Sequence, residues 1–345
     1  MLGREVFMER RDFIKTAGAA GMAAALPVRG QTAAPHAGVV NRPQSPAMIY
    51  RQLGTTGEVV SAIGMGGSHL GQQTDPQESI RLIHAGVDAG ITFLDNCWDY
   101  HDGISEVRMG QALRNGYRQK VFLMTKMDGR TVEAYSKQLE ESLGRLQTDM
   151  IDLVQFHEVI RMEDPDRIFA KGGAIEAAVK AREAGKIRYI GFTGHKDPAV
   201  HLRMLEVAQK HGFHFDTVQM PINVMDAHFR SFTHEVMPVA IKQGIGVLGM
   251  KSMGDGFVLK SNTVTAPQAL RYALTQPVSV LITGIDNMDI LHQALDVARN
   301  FKPMTQAEVQ TLLARTEKAA SDGQYEPFKT SAHFDGTAHN PKWLG

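Results

Sequence analysis

Cysteine occurs once in the 345 residues, at Cys97. The chain alone therefore builds no disulfide framework, zinc knuckle or iron–sulfur cluster, and no metal site is expected. Net charge is missing too, since 37 lysines and arginines balance 37 aspartates and glutamates. Without a basic run interleaved with aromatics, nothing in the composition attracts nucleic acid or an anionic membrane surface. The N-terminal apolar stretch, Thr16 to Leu26, is too short and too rich in Ala and Gly to span a bilayer stably. A working Gly-rich dinucleotide fingerprint is also lacking. Gly64-Met65-Gly66-Gly67 has no third glycine, and Gly244-Ile245-Gly246-Val247-Leu248-Gly249 has apolar strand where a strand-to-helix turn is needed. What remains, 43% hydrophobic and 21% charged, is ordinary globular material with enough chain for a large core.

The first segment has its own logic. Arg10-Arg11-Asp12-Phe13-Ile14-Lys15 precedes the weakly apolar stretch, and a Pro/Ala/Gly/Gln-rich run, Pro27 to Pro46, follows with small residues at Thr32-Ala33-Ala34. This order resembles a bacterial twin-arginine (Tat) export signal. The resemblance implies the Tat machinery as a partner, a periplasmic location, and export of a protein already folded. Residues 1–45 are accordingly set aside as signal and linker.

Beyond them, Tyr50 to Val60 reads as a hairpin with Gly54 and Gly57 at its turn. Short apolar strands then alternate with helical patterns. The strands are Ser61–Gly66, one ending near Asp95, Val121–Lys126, Ile151–His157, Tyr189–Thr193, Thr217–Pro221, Gly246–Met250 and Val278–Gly284. The helices are Asp75–Ala89, Ser105–Leu113, Thr131–Leu146, Ala174–Ala184, Pro198–His211, Phe232–Gln243, Ala266–Thr275 and Met288–Phe301, with Gln306–Ala320 as an extra one. Eight alternations over this length predict an α/β fold, a (β/α)8 TIM barrel with an N-terminal β-hairpin and an extra C-terminal helix. The barrel is assigned to residues 46–321, and residues 322–345 form an extension that covers the mouth or runs as a tail.

Chemistry gathers at three successive strand ends. Phe93-Leu94-Asp95 is followed by Tyr100, Lys126 ends the next strand and His157 the one after. In a barrel these ends are neighbours on one rim. A phenol titrates near pH ~10 and is a poor acid at neutrality, so a nearby ammonium that stabilises phenolate is expected to lower that value. Asp95 is placed to pair with Lys126, and His157 to donate to a carbonyl oxygen.

This ordered set resembles the aldo/keto reductase family. Asp95 with Tyr100 five residues on, Ser105-Glu106, Gly110-Gln111-Ala112-Leu113, and Gly185-Lys186-Ile187-Arg188-Tyr189-Ile190-Gly191 carry the likeness along with Lys126 and His157. It implies a barrel that binds a nicotinamide dinucleotide without a Rossmann domain. It further implies carbonyl–alcohol interconversion, with Tyr100 protonating the oxygen as hydride arrives from the nicotinamide. By the same resemblance Thr193 and Gln219 hold the carboxamide, although the family's Asn is replaced by Gly194. His195 either substitutes for it or belongs to the substrate pocket. Met250 is expected against the nicotinamide ring and Lys251 near the pyrophosphate. After the last strand, Gly284, Asp286 and Asn287 stand where members that bind NADPH present basic residues. An acid there favours NAD over NADP. Trp98 and Trp343 are candidate linings for a small-molecule carbonyl or alcohol substrate. Two other readings stay open: redox-neutral sugar chemistry on a tightly bound NAD(P), and a non-catalytic cofactor-binding accessory subunit.

Overall fold

The computed structural model describes Arg42 and residues 44–345. The twin-arginine segment and Thr32-Ala33-Ala34 lie outside the described residues. Among the described residues, ten strands form two sheets. β1 (Tyr50–Gln52) and β2 (Val59–Ser61) make the antiparallel hairpin. β3 (Ile63–Gly66), β4 (Phe93–Asp95), β5 (Phe122–Met127) and β6 (Ile151–Phe156) lead into β7 (Ile187–Thr193), β8 (Thr217–Pro221), β9 (Gly246–Met250) and β10 (Val280–Gly284). All eight are parallel, and β10 pairs with both β3 and β9, which closes the barrel.

Local chemistry explains most of the helices between them. Asp75 caps Pro76–Asp88 by accepting from Gln77 N, and Thr131 caps Val132–Leu146 by accepting from Ala134 N. Thr305 and Glu308 form a reciprocal capping box at the start of the extra helix, Gln306–Ala320. The segment read as one helix from Phe232 to Gln243 is two, Phe232–Glu235 and Met237–Lys242. Pro238 lies inside it, where its ring and missing N–H oppose a continuous helix.

Two cores result. Inside the barrel, Phe93, Phe122, Met124, Leu153, Tyr189 and Leu248 pack together, and Leu53 and Val60 of the hairpin close that core from below. Outside it, a larger layer packs strand side chains against the helices. At the base, Arg42 and Arg188 each bridge Glu58 and Asp152, and Arg118 reaches Asp152 at 2.8 Å. No described helix is long and apolar enough to cross a membrane.

The C-terminal extension docks over the opposite end. Gly336 N and Thr337 N donate to the Glu158 carboxylate at 2.8 and 2.7 Å. Arg130 N donates to Leu344 O at 2.8 Å, and Gln138 Nε2 to Trp343 O at 2.9 Å.

Candidate active site

Register brings the strand ends level. Asp95 closes β4 opposite Met124 of β5, and Lys126 of β5 lies opposite Gln155, two residues before His157. Lys126 Nζ donates to Asp95 Oδ1, and to Asn96 O at 2.6 Å. Tyr100 Oη lies 3.4 Å from the same ammonium, and the Tyr100 and His157 rings meet edge-on with centroids 6.0 Å apart. The loop reaches this geometry through a left-handed run, with φ of 53° at His101, 54° at Asp102 and 84° at Gly103. His101 Nε2 anchors it on Ser68 O at 2.8 Å. Only the glycine adopts that region without cost, so two residues of the turn are strained.

The tyrosine departs from expectation in one respect. Burial pushes its hydroxyl well above the usual phenol range, and the carboxylates of Asp95, Asp99 and Glu158, with Cys97, push the same way. Lys126 does not reverse this, because Asp95 already balances the ammonium at closer range. Tyr100 is thus held as a protonated phenol, and an acid rather than a preformed phenolate faces the site.

All four residues line one cavity of about 710 Å³ at the carboxyl ends of the strands. That volume lies within the range of small-molecule and cofactor sites. Thr193, His195, Gln219, Met250, Lys251, Gly284 and Asp286 line it as well. Trp98, Trp343 and Asn287 do not. Trp98 Nε1 donates to Glu141 Oε2 at 2.7 Å and its ring meets Trp343 edge-on at 5.6 Å, so the pair clasps the extension to the barrel wall. Asn287 instead caps Met288–Arg299, accepting from Ile290 N at 3.0 Å.

The sequence model of the aldo/keto reductase family matches residues 62–268, more than half of the chain. The chain belongs to the aldo/keto reductase family. The twin-arginine translocation signal model matches residues 8–27. Among curated relatives, "Uncharacterized oxidoreductase YrpG" of Bacillus subtilis is 30% identical over 242 residues, covering 63% of this chain and 72% of that protein. "Aldo-keto reductase YhdN" of the same organism is 31% identical over 226 residues, 61% of this chain and 64% of that one. Among solved structures, the holo form of aldo-keto reductase AKR11C1 from Bacillus halodurans superposes with a TM-score of 0.65. At 23% identity it covers 81% of this chain and 99% of its own, and it shares the fold. Aldo/keto reductases are oxidoreductases that use NAD(P)H, and the first of these statements holds for this chain.

Within this aldo/keto reductase, the fit of a nicotinamide can be tested on orphaned atoms. Thr193 Oγ1 and Gln219 Oε1 are buried without hydrogen-bond partners among the described residues, and both residues line the cavity. Gln219 Nε2 is already spent on Asp95 Oδ2 at 3.0 Å. A hydroxyl that can donate beside an amide oxygen that can only accept complements a primary carboxamide. The missing Asn has a steric cause: a Cβ at Gly194 would stand 2.3 Å from Val159 O and 2.8 Å from the His201 ring. His195 Nε2 is 3.0 Å from Asp335 Oδ1, which ties that nitrogen of the imidazole to the extension.

His69, Asp99, Glu158, Phe334 and His339 were not legible as site residues, and Asp286 and Lys251 have partners the sequence did not show. His69 Nδ1 meets Asp286 Oδ1 at 2.6 Å, so one oxygen of that acid is engaged. Lys251, at φ 55°, puts its ammonium over the rings of Phe328 and Phe334, 5.3 and 4.8 Å from their centroids. Burial pulls that lysine down to about 8. Asp99, pushed up to about 6 by burial, and Glu158 border the cavity beside His157. The signal that would have found Asp99 and Glu158 was adjacency, since each lies next to a quartet residue. Phe334 and His339 of the extension complete the lining.

Proposed function

We propose that this protein interconverts a carbonyl and an alcohol by hydride transfer with a nicotinamide dinucleotide. The observation that carries the reading is one cavity holding the Asp95–Lys126–Tyr100–His157 quartet next to the orphaned Thr193 Oγ1 and Gln219 Oε1. When bound, the dinucleotide supplies hydride to the carbonyl carbon. Tyr100 Oη gives its proton to the carbonyl oxygen, and alcohol oxidation reverses the transfer. Lys126, tied to Asp95 and Asn96 O, stays beside Oη and stabilises the phenolate left behind. His157 Nε2 hydrogen-bonds the same oxygen and orients it. Thr193 and Gln219 hold the carboxamide, Met250 packs against the ring, and Lys251 provides positive charge within the cavity. The quartet opposes an accessory role without chemistry.

We assign NAD(H) as the partner, since Asp286 at the cavity rim repels a 2′-phosphate and keeps Oδ2 for a ribose hydroxyl. Export through the Tat pathway to the periplasm follows from the signal, and a folded, loaded protein suits that route. The extension closing over the mouth favours a second reading, a retained dinucleotide that cycles between two sugar or alcohol substrates without release. Purifying the exported form, identifying its bound dinucleotide and screening aldehydes, ketones and sugars tests both. Bound NAD with carbonyl turnover is the expected result. Recovery of NADP alone sinks the NAD assignment, and failure to bind any dinucleotide sinks the reaction.

A further inference from the structure

His157 lines the cavity, and its Nδ1 turns to a group of acids. Nδ1 lies 2.9 Å from Asp128 Oδ1, 3.7 Å from Asp99 Oδ1 and 3.2 Å from Cys97 Sγ. An unprotonated Nδ1 would set a lone pair against a carboxylate at hydrogen-bond distance, which is repulsive. Nδ1 therefore carries a proton and Asp128 accepts it. The Cys97 thiol has its own acceptor, Lys126 O at 3.7 Å from Sγ.

Asp128 is fully buried, and its Oδ2 has no hydrogen-bond partner among the described residues. A buried carboxylate without compensation is costly, so the imidazole is its counter-charge. The backbone holds the two in register. Arg130 donates to Asp128 O and His157 O, each at 2.7 Å, and to Glu158 O at 2.9 Å, while its Nε meets Asp164 at 3.1 Å. One guanidinium thus ties the segment after β5 to the segment after β6.

We propose that Asp128 is a positioning residue: by accepting the hydrogen bond of Nδ1–H, with the proton left on the ring, it stabilises His157 as a cationic donor whose Nε2–H faces the substrate oxygen. The proposal rests on the carbonyl–alcohol reading of the cavity. Accepting from Nδ1 alone is not enough, since a neutral ring protonated there would present a lone pair at Nε2 and repel a carbonyl oxygen. The surroundings supply the second proton's stabilisation. Cys97, Asp99 and Tyr100 lie near the ring from the loop after β4, Asp128 from just beyond β5 and Glu158 from beyond β6, and the Lys126 ammonium is 3.4 Å from Tyr100 Oη. Three of these are carboxylates, and the single ammonium is already balanced by Asp95. Burial works against a charged ring, yet Asp99 and Asp128 outweigh it and the net direction is upward.

Nitrogen NMR of the mature protein labelled with [15N]histidine tests this, with His157→Gln identifying the signal. At neutral pH the wild type is expected to show both ring nitrogens of His157 protonated. Asp128→Asn should leave a neutral ring at the same pH and lower kcat for carbonyl reduction at least about 10-fold, as loss of a histidine's carboxylate partner does elsewhere. Its KM for dinucleotide should not move, and Asp128→Glu should recover part of kcat. A wild-type Nδ1 without a proton overturns the proposal, whether bare or covered by a metal that a chelator removes. So does an Asn variant with unchanged spectrum and kcat. The spectrum needs no substrate, so a doubly protonated ring in a protein that reduces no carbonyl would instead count against the carbonyl reading.

Discussion

The two ends of the barrel handle buried charge in opposite ways. At the base, both oxygens of Glu58 and both of Asp152 are taken up by Arg42, Arg118 and Arg188, and Leu123 N adds a further bond to Asp152. At the mouth, Thr193 Oγ1, Gln219 Oε1, Asp99 Oδ1 and Asp128 Oδ2 are buried without hydrogen-bond partners. Leaving such atoms unpaired costs stability, and a fold that saturates its carboxylate oxygens at one end, although Arg118 Nε has no partner among the described residues, has the means to do so at the other. We read the difference as functional: the base closes the fold, while at the mouth Thr193 Oγ1 and Gln219 Oε1 stay open to a ligand and Asp99 and Asp128 face His157.

That contrast breaks most visibly at Tyr100. Tyr100→Phe should lower carbonyl reduction by about 10²–10⁴-fold, the usual worth of a positioned acid, while a fluorescence titration shows dinucleotide still bound. Arg188→Met is the matching change at the base. It strips a partner from two buried carboxylates and should destabilise the fold by about 3–5 kcal/mol in urea unfolding, with dinucleotide affinity unchanged in the folded fraction. Thr193→Val sharpens the comparison from the other side. Dinucleotide Kd should rise by about 3–10-fold with the lost hydrogen bond, yet the melting temperature of the free protein should hold or rise, because an unpaired hydroxyl has been removed.

The smallest effect concerns the extension. Glu326 shares Lys329 with Asp226, and burial followed by Asp226's charge pushes its carboxyl up to about 7 against an ordinary 4.5. The folded protein thus holds this proton more tightly than the unfolded chain. Its contribution is fully present below pH 4.5 and fades as pH rises through about 7. Limited proteolysis near residues 327–330 should therefore be slower at mildly acidic than at mildly alkaline pH, relative to a protease control. Glu326→Gln should flatten the difference.

Much of this was legible because it is written locally. Short, largely apolar strands of three to seven residues alternating with capped helices specify a barrel, and Asp95, Tyr100, Lys126 and His157 announce themselves at or just beyond the ends of those strands. What escaped depends on distant segments. Trp98 sits in the right loop for a substrate contact, but Glu141 and Trp343, far along the chain, turn it to the wall. Asp128 lies two residues past Lys126, yet its partner His157 comes 29 residues later. The four-residue helix Gly336–His339 is too short for any periodicity, and distant groups fix its place, the Glu158 carboxylate accepting from its first turn and Arg161 donating to Thr337 Oγ1. Nor does sequence show the rise in the Tyr100 hydroxyl, because spacing reveals a neighbouring ammonium but not the burial that outweighs it.

The most direct test of the central claim follows the hydride itself. The exported protein is loaded with nicotinamide dinucleotide deuterated at C4 of the reduced ring, given a carbonyl substrate, and the product alcohol is examined by mass spectrometry and NMR. Deuterium on the carbinol carbon in the wild type, and none formed by Tyr100→Phe with dinucleotide bound, is the predicted result. Alcohol without the label, or equal labelling in both proteins, would contradict it.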